Sequence, residues 1–63
     1  MNNCLKQLRT ERELSQEALG KLLGVSRQSV NAIERGKYDP SLPLAFKLSE
    51  VLGVPIEKIF FPE

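Results

Sequence analysis

Few side chains in this 63-residue chain can make or break covalent bonds. There is no histidine and a single cysteine. Cys4 has no partner for an internal disulfide, and without histidine it has none for a metal site or a thiol–imidazole pair. It reads as a small, partly buried filler on the first helix. The sequence holds no phosphate-binding glycine loop, no metal-ligand cluster and no nucleophile–base pair. An enzyme is therefore not expected, and neither a cofactor nor a metal is implied. What remains is ionic and hydrogen-bonding chemistry, and it is unevenly spread. Residues 21–37 carry Lys21, Arg27, Arg35 and Lys37 against Glu34 alone, a local excess of +3 in a chain whose net charge is +1. Residues 38–63 carry Lys47 and Lys58 against Asp39, Glu50, Glu57 and Glu63, a local −2. A positive excess confined to one stretch is the electrostatic footprint of a face turned to phosphates. Arg9, next to the apolar Leu8, is a second kind of candidate. Its planar guanidinium suits a bidentate pair with a carboxylate, and Glu34 is the best-placed partner.

The elements that position these groups centre on S-Q-E-A-L-G-K-L-L-G-V-S-R-Q-S-V-N-A-I-E-R, Ser15 to Arg35. Ser15 and Ser26 each precede a helical pattern, where a hydroxyl can accept from an orphan N–H of the first turn. Leu19, Leu22 and Leu23 recur at helical spacing on the first helix of the pair, and Val30 and Ile33 on the second. Gly20 is small enough for the second helix to cross close over the first. Gly24 can take the positive φ that ends a helix, and Val25 then points inward. This is the spacing of a helix-turn-helix, whose second helix is offered to the major groove of DNA.

Length and composition bound the rest. Sixty-three residues make one domain, spanning 1–63, with a modest core worth about 3–5 kcal/mol. At 41% hydrophobic and 27% charged the chain is globular rather than disordered. No apolar run approaches the ~20 residues of a membrane span, and M-N-N-C-L-K-Q-L-R has no signal-peptide core. A cytoplasmic protein with no membrane partner is expected. In chain order, Asn2 or Asn3 caps a first helix running to about Arg12, with Leu5 and Leu8 facing inward. Helices over about Gln16–Leu23 and Arg27–Arg35 follow, the latter ended by Gly36. Asp39-Pro40 marks a turn, and Ser41 caps a fourth helix with Pro43 in its first turn. Leu44, Ala45, Leu48, Val51 and Leu52 form its buried side, and Gly53 stops it. Pro55 opens a short fifth helix. No strand pattern is visible. The expectation is an all-α, compact five-helix bundle.

The residues L-R-x-x-R at 8–12, L-S-Q-E-A-L at 14–19, L-G-V-S-R-Q-S-V-N-A-I-E-R-G-K-Y-D-P-S-L at 23–42 and L-A-F-K-L-S-E-V-L-G-V-P-I-E-K-I-F at 44–60 resemble the small prokaryotic Xre/Cro/cI-type helix-turn-helix regulators. The resemblance covers nearly the whole chain and implies the lambda-repressor-like fold, with the helix-turn-helix at helices two and three. It implies a sequence-specific DNA-binding transcriptional regulator, a repressor acting on double-stranded DNA. Gln16 resembles the glutamine whose side chain and backbone amide hold a DNA phosphate at a helix N-terminus, with Ser15 beside it. Arg27, Gln28, Ser29, Asn31 and Ala32 fall on the reading helix. Arginine suits guanine O6/N7, and glutamine or asparagine suits adenine N6/N7. Lys37 and Tyr38 resemble the loop that clamps the DNA backbone, and Arg9 and Glu34 the buried ion pair of many members. Two positions depart from the pattern. Ala32 stands where phage repressors often carry a polar base-contacting residue, leaving a methyl for a thymine. Gly20 replaces the more usual alanine, which should loosen helix two by roughly 1 kcal/mol at most.

The C-terminal part is rich in apolar residues. Ile56 and Ile59 are expected in the core, leaving Phe60, Phe61 and Leu44 as an exposed patch that joins two copies into a symmetric homodimer. Such a dimer would bind a near-palindromic operator. No small-molecule effector is evident. The alternative is a protein-interaction module on the same fold, such as the antitoxin of a toxin–antitoxin pair. Antitoxins of this type usually add a segment that covers the toxin, and none is expected here.

Overall fold

Three serines set the starts of three helices. In the computed structural model, which describes residues 1–62, the hydroxyl of Ser15 accepts from the Ala18 N–H, that of Ser26 from Ser29 and that of Ser41 from Leu44. Each satisfies a backbone donor that the helix itself leaves orphaned. The helices they begin are α2 (Gln16–Leu23), α3 (Arg27–Glu34) and α4 (Leu42–Leu52), preceded by α1 (Leu5–Glu11). The α3 helix ends in a Schellman motif: the Gly36 N–H donates to the Ile33 carbonyl and the Lys37 N–H to the Ala32 carbonyl, with Gly36 at φ 73°. Glu63, part of the acidic C-terminal count, lies outside the described residues.

The fold is the all-α, lambda-repressor-like bundle, with two departures at its ends. The expected fifth helix is a single 3₁₀ turn over Ile56–Lys58, after which the chain straightens into β2 (Phe60–Phe61). There it meets β1 (Asn2–Asn3) in a short antiparallel ladder, with Asn2 opposite Phe61 and Asn3 opposite Phe60. The Cys4 N–H extends the pairing to the Ile59 carbonyl at 3.0 Å. Partners at the far end of the chain satisfy backbone groups that one more helical turn would otherwise have used. For the same reason α1 starts at Leu5, later than a cap at Asn2 would give. Asn3 still serves it from inside β1: its Oδ1 accepts from the Leu5 N–H, while its Nδ2 donates to the Ile33 carbonyl at 2.9 Å. One amide thereby joins the start of α1 to the end of α3.

The core is built from Leu5, Leu19, Leu23, Val30, Ile33, Leu48, Leu52, Ile59 and Phe60, with Leu8, Leu14, Val25 and Leu44 among those packed around it. Leu22, assigned inward by its helical spacing, is instead half exposed: Leu19 and Leu23 already fill the side of α2 that faces the bundle. Arg12 closes the lower end. Its Nη1 donates to the Leu8 carbonyl of its own helix and its Nε to the Leu52 carbonyl at the end of α4, so one guanidinium serves two helix C-termini.

At Gly20 it is the turn backbone, rather than the body of α3, that comes close. A Cβ placed there would lie 2.7 Å from the Val25 carbonyl oxygen. The Val25 N–H in turn bonds the Gly20 carbonyl at 2.9 Å. Gly24 takes φ 77°, the left-handed value that lets the chain reverse between α2 and α3.

Candidate nucleic-acid interface

Val30 and Ile33 bury one side of α3, and this decides what its other side carries. Arg27 and Gln28 are exposed on the first turn, and Asn31 follows one turn on, partly exposed. Gln16, the first residue of α2, comes up beside them, so that Gln16, Arg27, Gln28 and Asn31 line one shallow polar cleft. Its walls are hydrogen-bonding side chains at the N-terminal ends of two helices, where free N–H groups and the helix dipole favour an anion. Ala32 is only partly exposed, and Ser29 sits against the cap: its hydroxyl lies 3.1 Å from that of Ser26. Ser15 is exposed; its oxygen is engaged by the Ala18 N–H, which leaves its own O–H able to donate outward.

Beneath this cleft lies a buried polar assembly. Arg9 meets Glu34 in a two-pronged ion pair, Nε to Oε2 at 2.6 Å and Nη2 to Oε1 at 3.2 Å, with the two side chains 10% and 4% exposed. The third arm of Arg9, Nη1, donates to the Leu14 carbonyl at 2.8 Å. Gln16 joins the same carboxylate, its Nε2 donating to Glu34 Oε1 at 3.0 Å. The sequence offered no sign of this last bond, because residues 16 and 34 meet only through the crossing of α2 over α3.

Lys37 and Tyr38 are exposed in the loop after α3. The loop is held from both sides. The Schellman bonds fix its start, and the Met1 amine donates to the Gly36 carbonyl and pairs with Asp39 Oδ1 at 3.1 Å.

The apolar surface differs in membership from the one expected. Phe60 is buried, 6% exposed, and belongs to the core; Leu44 is partly buried against it. Ile56, expected inside, is only partly buried. The reason is the strand. With a period of two, Phe60 and Phe61 point to opposite sides, and only Phe61 (40% exposed) faces out. The most exposed large apolar groups among the described residues are Leu42 at 65% and Phe46 at 59%. A groove near the chain's ends runs between Met1, Phe46, Pro55, Ile56 and Pro62, with Phe60 at its floor. Phe46, part of the same apolar excess in the sequence, was not assigned to the patch, because it lies off the buried stripe of α4, where periodicity only says that it faces away from the core.

Among the described residues no cluster of acidic, cysteine or histidine side chains could hold a metal ion, and no helix is long and apolar enough to cross a membrane.

Comparison with known proteins agrees with this fold. The helix-turn-helix family HTH_3 matches residues 5–59. An uncharacterized HTH-type transcriptional regulator of Methanocaldococcus jannaschii is 59% identical over 63 residues, covering 100% of this chain and 96% of the relative. Among solved structures, the restriction-modification controller protein C.AhdI from Aeromonas hydrophila is 39% identical with a TM-score of 0.80, over 89% of this chain and 85% of that one. The P22 c2 repressor, in complex with a synthetic operator, is 28% identical with a TM-score of 0.81, over 84% of this chain and 80% of that one.

Proposed function

The chain belongs to the helix-turn-helix family of DNA-binding transcriptional regulators, and we propose from that premise that it is a cytoplasmic repressor which binds a near-palindromic operator as a symmetric homodimer. The observation that carries this reading is the polar cleft of Gln16, Arg27, Gln28 and Asn31, set opposite the buried Val30 and Ile33. In this reading α3 enters the major groove. Arg27 and Gln28 read base edges, and Asn31, Ser29 and the Ala32 methyl make secondary contacts to bases or to the backbone. Gln16, with Ser15 beside it, grips a phosphate at the start of α2. Lys37 and Tyr38 grip the backbone on the far side of the groove. The likeness to the P22 c2 repressor supports repression, since a protein seated on an operator blocks whatever else must pass there.

A homodimer fits the dimensions. The molecule is 28 Å along its longest axis and half-sites lie about 34–36 Å apart, so two copies can occupy adjacent half-sites without overlapping. One reading helix contacts too few base pairs for useful specificity. The dimer surface proposed here is the groove side that carries Phe46 and Leu42, with Leu44 at its edge; Phe61, on the other side of β2 beside Asn2 and Arg35, lies apart from it. Phe60 supports it from within.

Selection of bound sequences from a random DNA pool tests the proposal directly. It should return a site with inverted half-sites one helical turn apart, and that site upstream of a reporter should lower transcription when the protein is supplied. Recovery of an unenriched pool would overturn sequence-specific binding, and a lone half-site would overturn the dimer.

A further inference from the structure

We infer that Glu34 is the positioning residue for Gln16: its carboxylate fixes which way the Gln16 amide faces and leaves one N–H of that amide for a DNA phosphate. The inference rests on the reading of Gln16 as a backbone contact and deepens it.

The argument starts from what each group can do. The Glu34 side chain is almost entirely buried, and both its oxygens face donors. Oε2 takes Arg9 Nε at 2.6 Å, and Oε1 takes Arg9 Nη2 at 3.2 Å together with Gln16 Nε2 at 3.0 Å. A carboxylate held by a guanidinium is an acceptor only. The amide of Gln16 can therefore meet it only through its NH₂ group, which settles the assignment of nitrogen and oxygen. Of the two amide hydrogens, Glu34 takes one. The second, and the amide oxygen, bond no other group among the described residues, and the Gln16 side chain lines the cleft shared with Arg27, Gln28 and Asn31. An approaching phosphate needs a donor, and this arrangement supplies one already oriented. The negative charge of Glu34 would repel a phosphate on its own, but the guanidinium of Arg9 offsets it at contact distance.

An unheld glutamine at an exposed helix start samples several rotamers and both amide orientations, most of which offer no donor at the phosphate. Holding it removes that loss from the binding step. The carboxylate that holds it belongs to α3, so the group gripping the backbone is keyed to the helix that enters the groove.

The test uses Glu34→Asp, which keeps a negative charge beside Arg9 but draws the carboxylate back by one methylene, so that the long Arg9 side chain can follow it while Gln16 Nε2 loses its bond. Wild type, Gln16→Ala, Glu34→Asp and the double variant are titrated against a short random-sequence duplex by fluorescence anisotropy at low salt, each first checked for helicity by circular dichroism. Gln16→Ala should weaken binding about fivefold and Glu34→Asp about two- to threefold, while Glu34→Asp should add nothing on the Gln16→Ala background. Equal losses on both backgrounds, or no loss on either, would overturn the positioning role. Gln16→Ala binding like wild type would instead remove the phosphate contact itself, a separate failure. Should Glu34→Asp not fold, the wild type gives a second reading. One of the two Gln16 side-chain amide protons should exchange slowly with water in the nuclear magnetic resonance spectrum, and equal fast exchange of both would overturn the inference.

Discussion

In the proposed reading Arg27 and Gln28 match a particular base pair, whereas Lys37 needs only a phosphate. Their substitutions should therefore separate. Arg27→Ala or Gln28→Ala should cost about 1–3 kcal/mol on the selected operator and relax preference at one or two base pairs, with little change on random DNA. Lys37→Ala should weaken binding to every sequence and lower the slope of affinity against salt by about one. Filter-binding or anisotropy titrations on both DNAs distinguish the two; an equal drop on operator and random duplex for Arg27→Ala would remove its base-reading role. Arg9 is a residue of the opposite kind, important for what it prevents. Replacing it alone strands the buried Glu34 carboxylate, at about 3–5 kcal/mol, comparable with the entire stability expected of a domain this small. Arg9→Met should be largely unfolded at room temperature. Arg9→Met/Glu34→Met, which removes both charges, should regain most of the loss, as read by urea denaturation. A single variant as stable as wild type would make the pair dispensable.

Two glycines of the helix-turn-helix element resist substitution for different reasons. At Gly20 the helical conformation is ordinary, and helix propensity alone favours alanine by about 0.8–1.0 kcal/mol. The neighbouring Val25 carbonyl oxygen, 2.7 Å from where the alanine methyl would stand, is backbone and cannot swing aside. Gly20→Ala should therefore lower the melting temperature, or keep it only by displacing the turn. At Gly24 a methyl would meet nothing within 4 Å, but φ is 77°. Gly24→Ala should cost about 1–2 kcal/mol and Gly24→Asn less, because asparagine tolerates the left-handed region. Thermal melts of the three variants test both statements, and a Gly20→Ala protein more stable than wild type would refute the steric reading. The same element shows what the sequence makes legible. Ser15, Ser26 and Ser41 were readable as caps because a cap needs only a hydroxyl and a helix starting at once behind it. Glu13, at φ 57° in the turn after α1, was not, because nothing in its type announces a left-handed residue. Nor were the 3₁₀ turn and the strands, which are too short to show a period. The cleft residues could be placed because the buried stripe of α3 fixes its other side. The bonds of Gln16 to Glu34, Asn3 to Ile33 and Arg12 to Leu52 depend on tertiary crossing alone.

For the whole molecule the proposed homodimer turns on which surface is free to meet a second copy. Leu42 and Phe46 stand on the surface while Phe60 fills the core, so they answer different questions when replaced. Leu42→Ser/Phe46→Ser should leave the monomer folded and weaken self-association. Phe60→Ser should unfold the monomer, since removing a buried aromatic ring typically costs about 3–5 kcal/mol. Sedimentation equilibrium at micromolar concentration, with circular dichroism beside it, reads both. A wild type that stays monomeric there, or a Leu42→Ser/Phe46→Ser protein that associates equally well, would exclude this surface as the interface.

The ladder between β1 and β2 makes the chain a closed ring, because it pairs Asn2 with Phe61. Ring closure carries an entropic cost that grows with the length enclosed, and this loop encloses almost every residue, whereas the α2–α3 turn encloses a handful. The order of folding follows. The helix-turn-helix can form from neighbours in the sequence, and the ring closes around it last and opens first. The amide of Cys4, bonded to Ile59 across the closure, should exchange with solvent faster than that of Val30 inside α3. Opening the ring also releases the strand that seats Phe60 and turns Phe61 outward. A copy with its ends undone would lose the seat of Phe60 in the core together with the face proposed for a second copy.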